Sequence, residues 1–214
     1  QLRANRFELL VRELSPEQVE QASARLLALV EQGMPNRFGA QRFGRDGKNA
    51  EAARALLESG EAGRDRRAAR FLLSALQAEV FNACLAARTL RLDQLEAGEV
   101  AFLHGSGASF VVEDLERESV RAACFEISAA GPIFGTRLLA ATGAPALRER
   151  ELFAAHGIPD RPRLPPGVRL RGARRPFRVR PEAASCERAG PDAIRLHFAL
   201  PPGFYPLETV FLSI

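Results

Sequence analysis

Apolar side chains crowd the stretch from Phe7 to Leu14, which predicts a strand. Ser15-Pro16-Glu17-Gln18 follows it. A capping hydroxyl, a first-turn proline and a glutamine three residues on together signal a helix start. Val19, Ala22, Leu26, Leu29 and Val30 then recur at helical spacing until Gly33 stops them. A glycine-rich loop runs to Asn49, which is expected to cap a short helix through Ser59. Asp65 is expected to open the longest helix, to about Arg88, with Leu72, Leu73, Leu76, Val80, Cys84 and Leu85 as its buried stripe. "EVAFLHGSGASFVV" reads as a hairpin turning near Gly105 to Gly107. Cys124 to Ser128 predicts another strand, Ala146 to Ala155 another helix, and "LPPG" and "GARRP" breaks in regular structure. Near the end Ile194, Leu196, Phe198 and Leu200 alternate with Arg195, His197 and Ala199, a half-buried strand. Tyr205 to Ile214 is expected to close the chain as a helix.

Composition adds limits. A chain of 214 residues with 46% hydrophobic content can form one large domain or two modest ones, each with a real core. A net charge of +4 says little about partners, but its chemistry says more: Lys48 is the only lysine. Arginine presents a planar, permanently charged fork suited to phosphate oxygens and to stacking on bases. A GC-rich genome or a heat-adapted host favours arginine too, so composition alone leaves both explanations standing. From Arg161 to Arg180 there are eight arginines and no acid. Cys84, Cys124 and Cys186 lie far apart with no CxxC, which argues against a zinc site and against a disulfide framework. No apolar run approaches the roughly 18 residues that span a bilayer, and no signal peptide is visible, so the expected compartment is a reducing cytoplasm.

Several chemistries are excluded by spacing. "GRDGKN" fails the P-loop pattern twice, with Arg42 where its first glycine belongs and Asn49 where its magnesium-binding hydroxyl belongs. "GSGASF" lacks the third glycine of a dinucleotide site. Ser106 and Ser109 have no Gly-x-Ser-x-Gly setting. His104, His156 and His197 stand alone, as surface or cross-strand residues do.

What remains is the segment "GMPNRFGAQRFGRDGKN", Gly33 to Asn49. Its first twelve residues resemble, without a gap, the signature G-x-P-N-x-F-G-x-Q-R-F-G of the TruD-type tRNA pseudouridine synthases. "RDRRAARFLLSALQAEVFN", Arg64 to Asn82, is similar to the family helix that ends Leu-Ser-Ala-x-Gln-x-x-x-Phe-Asn. "EISAAGPIFG" (Glu126 to Gly135), "GARRP" (Gly172 to Pro176) and "FALPPGFY" (Phe198 to Tyr205) resemble later landmarks in the right order, and Asn5-Arg6-Phe7 resembles its Asn-x-Phe motif.

The resemblance implies an α/β (α+β) fold: a catalytic domain with a mixed or antiparallel sheet, interrupted by a family-specific insertion. It maps residues 1–32 and 179–214 to part of the catalytic domain and residues 33–178 to the insertion. It implies isomerisation of a tRNA uridine to pseudouridine, at position 13 in the D arm, with no metal and no cofactor. An aspartate attacks the nucleoside, the glycosidic bond breaks, and the uracil rejoins through carbon. The base must first leave its stack. Phe7 takes the base-stacking role and Asn5 supports that site; read from its residues alone, Phe7 is a core residue of its strand. Arg37, Arg42, Arg45, Arg64, Arg66, Arg67 and Arg70, with Arg174 and Arg175 of the arginine tract, are expected to meet RNA phosphates. Phe38 and Phe43 are expected to anchor their loop. The implied partner is tRNA.

The departures carry weight. The family's nucleophile stands in a Gly-x-Lys-Asp motif upstream of Asn-x-Phe, and that motif is not in this sequence. The opening at Gln1, directly before a strand, reads as the middle of a longer polypeptide. Ala4 replaces a glycine of the family pattern, and "YPLETVFLSI" lacks its closing Arg-Glu pair. A non-catalytic RNA-binding fragment or module therefore stays open as an alternative, and a different enzyme as a weaker one.

Overall fold

A computed structural model of the chain describes residues 4–60, 65–159 and 164–201. Arg64, Arg161, Arg163 and the closing helix expected over Tyr205–Ile214 lie outside the described residues. The elements run β1 (Asn5–Val11), α1 (Pro16–Gln32), β2 (Met34–Pro35), a 3-10 turn (Ala40–Phe43), α2 (Asn49–Ser59), α3 (Arg66–Ala86), β3 (Val100–Leu103), β4 (Ser109–Val111) and α4 (Leu115–Ala123). They continue with β5 (Ile127–Ile133), α5 (Gly143–Ala155), β6 (Ala173–Pro176), β7 (Arg178–Val179), β8 (Glu182–Gly190) and β9 (Ala193–Leu200). The result is a mixed α/β protein with antiparallel sheets. Its contacts divide it into two compact units, Gln1–Asn36 with Arg178–Ile214, and Arg37–Phe177.

The first unit is a three-stranded sheet in the order β1-β9-β8. Phe7 faces Phe198, Leu9 faces Leu196 and Val11 faces Ile194 across β1 and β9, so the alternation in both strands delivers one apolar face. Val19, Ala22 and Leu26 of α1 join that cluster. The helix begins as its sequence dictates: Ser15 Oγ accepts the Gln18 N–H at 3.2 Å while the Ser15 N–H donates to Gln18 Oε1 at 2.9 Å. β1 stops at Val11 rather than reaching Leu14, because Glu13 takes a left-handed φ of 62° and turns the chain. β8, "EAASCERAG", is an edge strand with little apolar surface, so no hydrophobic alternation announced it. Arg178 is 1% exposed, and its Nη1 donates to Gln32 O at 2.8 Å. There it satisfies a carbonyl at the negative end of α1.

In the second unit a four-stranded sheet, β4-β3-β5-β6, packs against α3 through β5, and α2 packs on α3. Asp65 caps α3 by accepting from Arg67 N at 2.8 Å and Ala68 N at 3.0 Å. The buried stripe contains Leu73, Leu76, Val80, Cys84 and Leu85 as the periodicity requires, with Phe81 besides, while Leu72, also expected there, is only half-buried. Burial pushes the Cys84 thiol up to about 12.

Three expectations are corrected here. "GARRP" does not break structure: Ala173–Pro176 is β6, paired with Ile133–Ala130 of β5. The strand expected at Cys124–Ser128 starts at Ile127, after Phe125 turns at φ 60°, and continues through Gly131-Pro132. Pro132 lies beyond the β3 pairing, beside β6 alone, where a missing N–H is tolerated. Asn49 does not cap α2; Lys48 holds that position and makes no side-chain cap bond. α4 escaped the apolar periodicity because its buried residues are only Glu118 and Ala122.

Gly131 shows how tightly this core closes. A Cβ there would stand 2.8 Å from Phe177 Cζ and 2.9 Å from Phe81 Cδ2. Arg174, expected to meet RNA, is instead committed inward. Its Nη1 and Nη2 pair with Glu149 at 2.5 and 2.9 Å, and its Nε donates to Leu139 O at 2.8 Å. With a side chain 1% exposed, it is a buried ion pair and offers nothing to a phosphate.

Two outcomes follow for stability. Gly131→Ala should cost about 1–3 kcal/mol by overpacking, read as a lowered melting temperature, while Gly105→Ala, with open space around it, should leave the melt unchanged. Arg174→Ala should lose about 3 kcal/mol in urea unfolding by stranding the Glu149 carboxylate. Truncation of the exposed Arg37 should stay within about 0.5 kcal/mol; equal effects at both positions would erase the distinction between them.

Candidate functional site

The signature segment folds around one ring. The Asn82 amide, near the end of α3, grips the backbone of Phe38: its Oδ1 accepts from Phe38 N at 2.9 Å and its Nδ2 donates to Phe38 O at 2.8 Å. The Phe38 ring then meets Phe81 edge-on at 5.4 Å. The Arg175 guanidinium lies 4.2 Å from the Phe38 centroid and 5.6 Å from that of Phe81. Arg42 approaches the same ring at 5.5 Å. Burial, and after it the charge of Arg42, lowers the Arg175 pKa to about 10. Arg175 is thus a cation stacked on aromatic faces.

Glycine makes the turn possible. Gly44 ends the 3-10 turn at φ 85°, and a Cβ there would collide with the Asn49 side chain at 2.8 Å. Farther on, Gly172, at φ 78°, would place a Cβ 3.0 Å from Gly135 Cα, so the "GPIFG" and "GARRP" segments touch backbone to backbone. The motif residues of this unit are therefore largely packing devices, and what they present outward is charge. Arg37 and Arg45 are exposed and Arg42 is half-buried. None of the three has a carboxylate partner among the described residues.

Arg66, Arg67 and Arg70 are exposed on the first turns of α3, likewise without an ion pair among the described residues. Arg70 Nη2 donates to Gly167 O at 3.3 Å. Elsewhere in this unit arginines are commonly neutralised: Arg54 by Glu79, Arg88 by Glu99, Arg121 by Glu118 and Glu126, and Arg148 by Glu96. The candidate arginines thus separate by environment. Among the described residues no carboxylate neutralises Arg37, Arg42, Arg45, Arg66, Arg67 or Arg70, whereas Arg174 is paired with Glu149 and Arg175 is laid on rings. Sequence reasoning gave Asn82 no role of its own; its signal was a polar amide continuing an otherwise apolar helix stripe.

In the first unit Phe7 and Asn5 lie on β1, an edge strand among the described residues. Phe7 stacks on Phe198 with centroids 5.5 Å apart and planes 26° from parallel. Both Phe7 and Asn5 are half-buried and share the helix-bearing face of the sheet, yet α1 packs chiefly on β8 and β9. Among the described residues part of the Phe7 ring therefore stays uncovered. Asn5 stands opposite Leu200, at the same end of the sheet. The unit's single aspartate, Asp192, sits beyond the opposite end, where its carbonyl accepts the Leu14 N–H at 3.0 Å. From Phe7 to the Val11–Ile194 pair alone is about 13 Å of strand. No group of histidine, cysteine and carboxylate side chains among the described residues could hold a metal ion, and no described helix is long and apolar enough to cross a membrane.

Comparison with known proteins completes the picture. Residues 1–63 and 64–212 match the family described as tRNA pseudouridine synthase D (TruD). The chain is 40% identical over 212 residues to tRNA pseudouridine synthase D of Anaeromyxobacter sp. (strain Fw109-5), covering 95% of this chain and 59% of that protein. The corresponding protein of Thermus thermophilus is 38% identical over 206 residues, covering 95% and 56%. That of Geobacter metallireducens is 32% identical over 268 residues, covering 95% and 66%. A Methanosarcina mazei crystal structure described as a putative tRNA pseudouridine synthase D (TruD) superposes with a TM-score of 0.75, over 99% of this chain and 69% of that one; at 17% identity it speaks to the fold alone. The chain spans 59% of the length of the Anaeromyxobacter relative. With both stretches of sequence matched, it belongs to the tRNA pseudouridine synthase D (TruD) family.

Proposed function

We propose that this chain is the substrate-holding part of a tRNA pseudouridine synthase that isomerises uridine, at position 13 of the D arm, to pseudouridine. In this reading residues 1–32 and 179–214 belong to the catalytic domain and residues 33–178 are the inserted domain, close to the division into two contact units. The family match is the observation that carries it.

Geometry supplies roles. A uridine leaving its stack loses a few kcal/mol of stacking. The open part of the Phe7 ring, held flat by Phe198, returns part of that through a new stack of roughly 1–3 kcal/mol. Asn5, two residues away on the same face, offers an amide for hydrogen bonds at that site. The attacking aspartate lies outside these 214 residues: Gly-x-Lys-Asp is not among them, and Asp192 stands at the wrong end of the sheet. In the reaction the C1′–N1 bond breaks, a C1′–C5 bond forms, the C5 proton leaves to solvent, N1 takes up a proton, and the aspartate is released unchanged. Arg37, Arg42, Arg45, Arg66, Arg67 and Arg70, which have no carboxylate partner among the described residues, and Arg64 with them, provide phosphate contacts, which position a folded RNA by shape and charge. The missing nucleophile also favours a second reading, an RNA-binding module without turnover.

Release of tritium from C5-labelled uridine in tRNA by the complete gene product separates the two. Release is expected; binding without release would leave only the module. Phe7→Ala should lower kcat/KM at least ten-fold, with Phe7→Tyr retaining most of it, and unchanged turnover in Phe7→Ala would remove that ring from the site. In a salt titration tRNA affinity should fall steeply, by roughly one power of salt concentration per phosphate neutralised. A flat response would reject the basic surface.

A further inference from the structure

We infer that Phe71, beside Arg66, Arg67 and Arg70, is a second stacking site that takes an unpaired nucleobase of the RNA. The inference rests on the proposed tRNA-modifying function and adds a contact in the Arg37–Phe177 unit. Phe71 is 50% exposed in the second turn of a well-formed helix. At about 100° per residue, Arg66, Arg67, Arg70, Phe71 and Ser74 fall within an arc of about 140° on the first turns of α3. Farther along, the neighbouring positions Ala75 and Ala78 are buried, so the opening is confined to this end of the helix.

A single exposed apolar side chain is ordinary; its surroundings decide here. Three arginines lie on one side of the ring, toward the start of α3, without a carboxylate partner among the described residues. The nearest acid in sequence, Asp65, has its carboxylate engaged by the Arg67 and Ala68 amides. Two of the arginines are braced by one turn: Arg70 Nη2 donates to Gly167 O at 3.3 Å. Arg66 lies so close that a Cβ on Gly167, at φ 78°, would fall 2.8 Å from its Cζ. Arg169 and Arg171, exposed on the same segment, extend the positive surface. Ser74 Oγ donates to Phe71 O at 2.7 Å and tightens the turn that carries the ring. An aromatic face beside a run of cations matches one chemistry, a base that stacks while its phosphate meets the neighbouring charge. A protein or lipid partner would need apolar surface beyond one ring, and here the neighbours are arginines.

The chain contains no tryptophan, so Phe71→Trp places a single reporter at the ring. Titrated with an unmodified tRNA transcript, its fluorescence should be quenched, at an affinity close to that of the wild type. Phe71→Ala should weaken binding about ten-fold or more without changing the salt dependence. Arg67→Ala should reduce the salt slope by about one. Wild-type affinity in Phe71→Leu, or Phe71→Trp emission indifferent to saturating tRNA that still binds, would overturn this inference and leave the proposed function standing. Failure of the wild-type chain to bind tRNA at all would overturn both. Loss of binding to phosphatidylserine vesicles rather than to tRNA in Phe71→Ala would assign the patch to a membrane and overturn the RNA site. Thermal melts of each variant, at a position half in water, read folding independently.

Discussion

The Arg175 guanidinium, pressed 4.2 Å above the Phe38 ring and 5.6 Å from Phe81, is the contact on which the signature segment depends. A desolvated cation is costly unless something replaces water, and here aromatic faces do part of that work. Asn82 completes the arrangement by taking both backbone hydrogen bonds of Phe38, which no strand or helix partner supplies. Around that point Phe81 and Phe177 meet at 5.5 Å, and only a glycine at position 131 leaves room for them. Four motifs that lie far apart in sequence thus interlock in one packed cluster, and the loop they anchor presents Arg37, Arg42 and Arg45 from a fixed backbone.

That arrangement explains which parts of the fold were legible. α1 could be read from Ser15 to Gly33 because its cap, its apolar spacing and its stop are all local. α3 was readable for the same reasons, and β9 through its strict alternation. β8 and α4 were not, since an edge strand of alanine, serine and glutamate and a helix burying only Glu118 and Ala122 give no apolar period. "GARRP" was misread because its glycine and proline act at its ends: Gly172 makes the close approach to Gly135, and the residues between form a strand by pairing with a partner roughly forty positions upstream.

The candidate site divides in the same way. That arginine is the residue type proposed to meet RNA was visible in the composition. Which arginines are free to do so was not, because neutralisation is a tertiary fact. Arg174 and Arg175 are neighbours in sequence, yet on β6 they point to opposite faces. One is locked to Glu149, the other laid on phenylalanine rings. Arg178, four residues beyond Arg174, closes the end of α1. An arginine-rich tract is therefore as much an internal scaffold as a surface.

This double use bears on why the chain relies on arginine almost to the exclusion of lysine. Burial and Arg42 bring Arg175 from 12.5 to about 10, which still leaves it charged at neutral pH. A lysine under the same penalty starts about two units lower and so stands that much nearer to losing its proton. The flat guanidinium also stacks on a ring face while its edge can still donate, which a tetrahedral ammonium cannot do. A genome-wide bias toward arginine would account for its number. It would not account for a cation held between two phenylalanines at the centre of the family signature, where the charge has to survive desolvation for the loop to keep its shape.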